Sequence, residues 1–364
     1  MAHSIVPPYL LARLAETEAE GLQGAAAAAR RSLAADPPLR AERRREGVFT
    51  PSSVLLEAVD PLQAAFTGLV GITEPDRSVF DAEGRENLPG TLVRAETDPP
   101  VDDVAVNEAF DGLGATHALL FEAFGRASID GVGLPLLATV HYGEAYDNAF
   151  WDGERMVFGD GDGEVFGRFT ASLSVIGHEL AHGVTQYTAG LVYEGQSGAL
   201  NESFSDVIGA LVEQYSLEQT AEEATWLIGE GLFTDAVQGR ALRSMLEPGT
   251  AYDDDVLGLD PQPGDMAGYI ETTDDDGGVH LNSGIPNRAF ALAARAVGGF
   301  AWEGVGVVWY DAMTGPLDEK ADFAAFAEAT IAASGARFGD DSEVTSAIAE
   351  AWRTVGVRSD DRAH

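Results

Sequence analysis

The chain has 364 residues, enough for one two-lobed enzyme or two domains with a substantial core, and its 45% hydrophobic content is ordinary for a globular protein. With no cysteine, disulfides, thiol nucleophiles and thiolate metal sites are excluded, so any transition metal must sit on His and carboxylates. The 60 acidic against 22 basic residues give a net charge of −38, which repels nucleic acid and anionic membranes, and neither is expected as a partner.

Lys320 is the only lysine. A halophile-like acidic surface and GC-rich codon bias both favour few lysines, but bias alone does not explain the acidic excess, so the first reading is preferred. The start, Met1 to Tyr9, lacks the basic residues and apolar stretch of a secretory signal, and no apolar run reaches the roughly 18 residues of a membrane span. A cytoplasmic location, or export by a non-standard route, is expected.

Pro7-Pro8-Tyr9-Leu10-Leu11 opens a helical pattern, an Ala/Arg-rich stretch follows from Ala25 to Arg31, and Asp36-Pro37-Pro38 is expected to break it. Arg40 to Arg45 is basic in an acidic protein. Residues 1–60 form either a helical arm or a removable pro-segment. From about 66 to 170 the pattern is turn-rich with short β runs, and Leu136 to Tyr142 and Arg155 to Phe158 read as strands. Gly159-Asp160-Gly161-Asp162-Gly163 reads as a turn, since it lacks the twelve-residue pattern of a calcium loop. From Ser172 the period becomes helical, with Val175, Ile176, Leu180 and Val184 on one face. A second helix is expected from Asn201 to Tyr215, and Ala289 onward is Ala-rich and helical. The pattern is α+β: a β-rich lobe over 61–190 that includes a central helix, then a helical lobe over 191–364.

The central helix carries His178-Glu179-Leu180-Ala181-His182. Two His four apart lie one turn apart on one face, so both imidazoles can meet one ion, and Glu179 can reach a water there. This spacing is that of a zinc site with Glu as general base, though so short a motif also arises by chance. The next helix raises the odds. Glu202 and Asp206, again four apart, share a face: Glu202 can complete a His₂Glu set and Asp206 can accept the other ring N–H of His178. Three protein ligands and one position open for water make a catalytic pattern. Asn201-Glu202-Ser203 matches a glycosylation sequon, discounted at a helix start. His280, in Gly277-Gly278-Val279-His280, would by itself be a surface residue; beside a zinc site it becomes a candidate oxyanion donor.

With these residues the chain resembles the thermolysin family of zinc metallopeptidases, whose ligand set is this same His₂Glu. The likeness runs from about Phe80 to Val357 and includes Leu88-Pro89-Gly90, Val140-His141-Tyr142, Asn148-Ala149-Phe150-Trp151, Met156 to Gly163, Tyr187 to Tyr193, Leu242-Arg243-Ser244-Met245 and Gly278 to Gly284. Ile5-Val6-Pro7-Pro8-Tyr9 is similar to the pro-segment of the protealysin-like branch, which implies a short pro-segment and, as a partner besides peptide or protein substrates, a dedicated protein inhibitor. The resemblance implies a two-lobed thermolysin-like fold, a monomer, and hydrolysis of peptide bonds before bulky hydrophobic residues. It implies Zn2+ on His178, His182 and Glu202, Glu179 as general base, and Tyr193 and His280 as oxyanion donors. Asp275 would stand behind His280, and Asp206 behind His178. Asn148, Ala149 and Arg243 would grip the substrate backbone. Phe166, Phe169, Val175, Ile228, Leu232 and Leu242 would line the pocket for the residue after the cut. At the family's double Ca2+ site, Ser174, Thr225 and Leu227 replace acidic ligands while Glu213 and Glu230 remain, so calcium there is doubtful.

Overall fold

A computed structural model describes residues 3–46 and 74–358. The expected boundary of the N-terminal segment, at 60, falls outside the described residues. The segment opens with β1 (His3–Ser4), α1 (Pro8–Ala15) and α2 (Gln23–Glu46). Pro7 is extended and Pro8 occupies the first helical turn, where its missing N–H has no intrahelical partner to lose. Leu10, Leu11 and Leu14 of α1 are buried. The expected break at Asp36-Pro37-Pro38 does not occur, because α2 continues through it. Each proline forgoes one helical hydrogen bond, and the bonds on either side carry the helix across.

The first lobe is built on a six-stranded sheet. Its strands are β2 (Arg77–Asp81), β3 (Thr91–Ala95), β4 (Leu136–Val140), β5 (Ala149–Trp151) and β6 (Met156–Phe158), with β1 added at one edge, in the order β1-β5-β6-β4-β2-β3. β2, β4 and β6 run parallel; β3 and β5 pair antiparallel to β2 and β6. The strands read from Leu136 and Arg155 are therefore present. Gly159 to Gly163 forms a loop, and His141 bridges its Asp160 to Asp103 by contacts of 2.9 Å to each.

The stretch read as turn-rich also holds a 15-residue helix, α3 (Val104–Ala118). Asp103 caps it by accepting from the backbone N–H groups of Ala105 and Val106. Gly112 and Gly114 disguise it, since glycine disfavours helix interiors. Gly112 is required by packing: a Cβ there would sit 2.3 Å from Cδ1 of Ile176.

The central helix, α4 (Leu173–Gln186), and its partner α5 (Gly195–Ser216) follow. α5 starts six residues before the expected Asn201, where Gly195, Ser197 and Gly198 read as turn residues in the sequence. The two helices touch at glycines. A Cβ on Gly177 would meet the Gly209 Cα at 3.0 Å, and one on Gly209 would meet the Ser174 carbonyl at 2.3 Å. This close approach brings α5 carboxylates within reach of α4 imidazoles. Short strands β7 (Leu227–Ile228) and β8 (Arg243–Ser244) pair beside α5. The second lobe is completed by α6 (Asp275–Asn282), α7 (Gly284–Val297), α8 (Val305–Thr314), α9 (Phe323–Phe338) and α10 (Glu343–Thr354). Trp309 and Trp352 stack in its core with ring centroids 5.7 Å apart. The α+β reading thus holds: a sheet-bearing first lobe, a central helix and a helical second lobe.

Candidate active site

Four turns of α4 put His178 and His182 on one buried face, with their Nε2 atoms 3.1 Å apart. The opposite ring nitrogens settle the tautomers. Nδ1 of His178 meets Oδ1 of Asp206 at 2.8 Å, and Nδ1 of His182 meets Oδ1 of Asn201 at 2.8 Å; carboxylate and amide oxygens only accept. Both Nε2 lone pairs therefore face one point. Glu202 turns to the same point, its oxygens 3.5 Å from Nε2 of His178 and 3.4 Å from Nε2 of His182. Oε2 of Glu202 is buried without a hydrogen-bond partner. Burial leads in pushing the His182 pKa down to about 3, keeping a lone pair available. Two lone pairs and a carboxylate, all buried, repel one another unless a cation lies between them. Among the described residues this trio is the group with metal-ligand geometry, and the donor set fits zinc.

Glu179 is fully buried, and its Oε2 accepts from the backbone N–H of Trp151 at 2.9 Å. On the far side stands His280. Nδ1 of His280 meets Oδ1 of Asp275 at 2.6 Å, and the second carboxylate oxygen accepts the His280 backbone N–H at 2.9 Å. Nε2 meets the Ser4 carbonyl at 3.1 Å and the Tyr193 hydroxyl at 3.4 Å. A carboxylate on one nitrogen and a carbonyl on the other make both donors, so His280 is an imidazolium. Burial opposes that charge, but Asp275 and Glu202 outweigh it and hold the pKa up at about 9. The Tyr193 hydroxyl donates to Oε1 of Glu202. Asp275 achieves its position through a left-handed backbone, φ 55°, in a turn finished by Gly277 and Gly278, both at positive φ.

Arg243 is buried on β8, opposite Ile228 of β7, and Leu242 donates to the Ile228 carbonyl. Phe166, Phe169, Val175, Ile228, Leu232 and Leu242 are all buried. The Phe166 and Phe169 rings are 5.6 Å apart, and the Leu232 and Leu242 side chains close on Gly229. At the double-calcium positions, the buried Ser174 hydroxyl accepts from the Gly229 N–H at 3.1 Å, and burial pushes the Glu213 pKa up.

Glu179, Tyr193 and His280 stand around the zinc trio, and the N-terminal segment runs past them along Ala149, Asn148 and Arg243. β1 pairs antiparallel with β5, His3 opposite Trp151 and Ser4 opposite Phe150. The Ile5 N–H donates to the Ala149 carbonyl at 3.1 Å, and Nη1 of Arg243 donates to the Ile5 carbonyl at 3.0 Å. Asn148 takes Val6 with both ends of its amide: Oδ1 accepts from the Val6 N–H at 2.9 Å, and Nδ2 donates to the Val6 carbonyl at 3.3 Å.

Some contributors were not anticipated. Asn201 was seen only as part of a sequon, yet it orients His182, and Ser205 stands 3.1 Å from the same nitrogen. Their spacing of four, one position before Glu202 and Asp206, was a legible signal. Asn287 and Gln262 were not legible: Asn287 donates to Asp206 at 2.8 Å and Gln262 to the His280 carbonyl at 2.7 Å, both across long loops.

Comparison with known proteins settles the family. The profile described as "Thermolysin metallopeptidase, catalytic domain" matches residues 71–186, and "Thermolysin metallopeptidase, alpha-helical domain" matches 189–357. The chain belongs to the thermolysin metallopeptidase family. It is 54% identical over 285 residues to an "Extracellular metalloprotease" of Pectobacterium carotovorum subsp. carotovorum, covering 78% of this chain and 82% of that one. It is 49% identical over 285 residues to "Protease PrtS" of a Photorhabdus strain, covering 78% and 76%. A solved precursor of protealysin from Serratia proteamaculans superposes with a TM-score of 0.84 at 48% identity, over 98% of this chain and 100% of that one. This thermolysin-family chain is thus a zinc metalloendopeptidase of the protealysin-like kind, in precursor form. No helix among the described residues is long and apolar enough to cross a membrane.

Proposed function

We propose that the enzyme hydrolyses peptide bonds on the N-terminal side of bulky hydrophobic residues, with Glu179 as general base, and that residues 1–60 form a pro-segment that holds the cleft shut. The observation that carries this is the seating of Ser4, Ile5 and Val6. They add to the edge of β5 as an extended peptide, a common mode of peptide recognition: the Ser4 carbonyl meets His280, the Ile5 carbonyl meets Arg243, and both Val6 backbone groups meet Asn148.

When bound by His178, His182 and Glu202, zinc supplies Lewis-acid activation of a water and of the peptide carbonyl at this spot. Glu179, fixed by the Trp151 N–H, is positioned to take the water's proton and return it to the leaving nitrogen. His280, held by Asp275, donates to the carbonyl oxygen as negative charge develops there, with Tyr193 beside it. Such a donor is worth roughly 3 kcal/mol of barrier. Arg243 holds the carbonyl that follows the cut, a charge-assisted contact worth about 1.5–3 kcal/mol. The pocket residues Phe166, Phe169, Val175, Ile228, Leu232 and Leu242 offer no partner for a charge, which supports preference for Leu, Ile, Val or Phe after the cut.

Asn148 and Arg243 are both engaged by the arm, so the full chain is expected to turn over peptide weakly until the arm leaves. The name of the Pectobacterium relative supports action outside the cell. We retain the lobe division near residue 190, a monomeric state and a dedicated protein inhibitor as parts of the same reading. A peptide-library profile of the matured enzyme tests it. Enrichment of bulky apolar residues directly after the cut is expected, and enrichment of charged residues there would refute it.

A further inference from the structure

A segment that merely blocked a cleft would need only bulk, but this one lies in the direction and register of a substrate. The Ser4 carbonyl points at Nε2 of His280, 3.1 Å away. The next residue is Ile5, fully buried, with its N–H on the Ala149 carbonyl and its own carbonyl on Arg243. The residue after that is Val6, bound through both backbone groups by Asn148. Upstream, His3 and Ser4 run antiparallel along Trp151 and Phe150, and Trp151 is the residue whose N–H holds Glu179. The peptide bond between an oxyanion donor on one side and a bulky aliphatic residue gripped by Arg243 on the other is Ser4–Ile5.

We propose that Ser4–Ile5 is a cleavage site of the chain's own active site, cut in cis. This rests on the peptidase reading above. Water adds across the bond: its hydroxyl joins the Ser4 carbonyl carbon, the C–N bond breaks, and the proton goes to the Ile5 nitrogen. The products are a peptide of residues 1–4 ending in a carboxylate, and a chain beginning with the ammonium of Ile5. Water is the single co-reactant, and no electron changes hands.

The two products differ in what holds them. Residues 1–4 keep the short β1 pairing and the His280 contact. From Ile5 onward the segment keeps Ala149, Arg243 and Asn148, the buried Leu10, Leu11 and Leu14 of α1, and two hydrogen bonds from Arg13 to the carbonyls of Asp255 and Val256. The upstream peptide therefore leaves, while the rest of the arm stays seated as a tethered product. Cleavage here does not open the enzyme; opening requires a later cut beyond α2.

The test uses the full chain, purified metal-free, then given zinc. Intact mass and N-terminal sequencing are followed over time and at several dilutions. Loss of residues 1–4, with a new N-terminus at Ile5-Val6-Pro7 and a rate independent of protein concentration, is expected. Glu179→Ala and chelated wild type should keep the bond. Ile5→Asp, which puts an unpaired charge at a buried position, should suppress the cut. An added peptide substrate, offered to the matured enzyme, separates the failures. If that peptide is hydrolysed while the recovered pro-segment still carries Ser4–Ile5 intact, this proposal falls and the peptidase reading stands. If a chain starting at Ile5 forms equally in Glu179→Ala, a foreign protease made it and the proposal falls. If neither the added peptide nor the bond is cut, both fall.

Discussion

Asp206 and Arg243 form a fully buried two-pronged ion pair, Nε to Oδ2 at 2.9 Å and Nη2 to Oδ1 at 2.7 Å. The same carboxylate accepts from Nδ1 of His178 at 2.8 Å and from Asn287 at 2.8 Å. Burial alone would push the Asp206 carboxyl up, but Arg243 and His178 hold it far below the usual carboxylate range. One side chain thus orients both a zinc ligand and the guanidinium that holds the Ile5 carbonyl.

Replacing it should therefore damage two properties together. Asp206→Asn strands the Arg243 charge in the interior, at a cost of about 3–5 kcal/mol. It also loosens His178, for a fall of roughly 10–100-fold in zinc affinity. Denaturant unfolding of the zinc-free chain measures the first, and competition with a chelator the second. A destabilised variant with wild-type zinc affinity would show that the shared carboxylate does not orient His178.

Glu179→Ala should bind zinc with normal stoichiometry and lose peptide hydrolysis by about 10²–10⁴-fold or more. His182→Ala should lose the metal instead. Metal analysis beside turnover of one peptide separates the two. Near-wild-type turnover by the Glu179 variant would remove it from the role of base.

Asp147 offers a pH test away from the metal. It is fully buried beneath α2, and its backbone N–H donates to the Ser32 hydroxyl at 2.9 Å. Asp162 lies beside its carboxyl group, with both its backbone N–H and its carboxylate in reach. Burial first, and the Asp162 charge second, push its pKa up to about 9, with Arg31 opposing. A carboxyl raised on folding costs nothing below its unfolded pKa of about 3.9. Its penalty grows as pH rises from there towards 9. Asp147→Asn keeps a donor for Asp162 and removes the titration. Its melting temperature should exceed wild type at pH 8, with the gap closing towards pH 4. A gap independent of pH would mean that Asp147 is not protonated in the fold.

Salt should stabilise the precursor more than calcium does. Net charge of −38 produces self-repulsion that monovalent salt screens. Ser174 is engaged with Gly229, and Ser174, Thr225 and Leu227 bring no charge to the double-calcium positions. Melting curves at matched ionic strength and saturating zinc compare the two. A rise of well over about ten degrees with calcium alone, and little with sodium chloride, would contradict this reading of the substitutions.

The α+β order, the zinc helices and the likeness to a peptidase family were all legible in the chain itself. The reason is periodicity: residues four apart on a helix share a face whatever else the fold does, so His178 with His182, and Glu202 with Asp206, announce one ligand cluster. Local rules failed where packing overruled them. α3 hides behind Gly112, which admits Ile176, and Gly114, which admits Arg77, and the first turns of α5 hide behind Gly198, which passes close to Tyr193 and Val279. Only the tertiary structure could decide partners separated by long loops. That Arg243 shares Asp206 with His178, that Asn287 and Gln262 brace the site, and that the bond presented to it is Ser4–Ile5 all depend on distances between segments up to 276 residues apart. No spacing along a chain encodes such distances, because they are set by how the lobes, the glycine-lined helix crossing and the arm pack together.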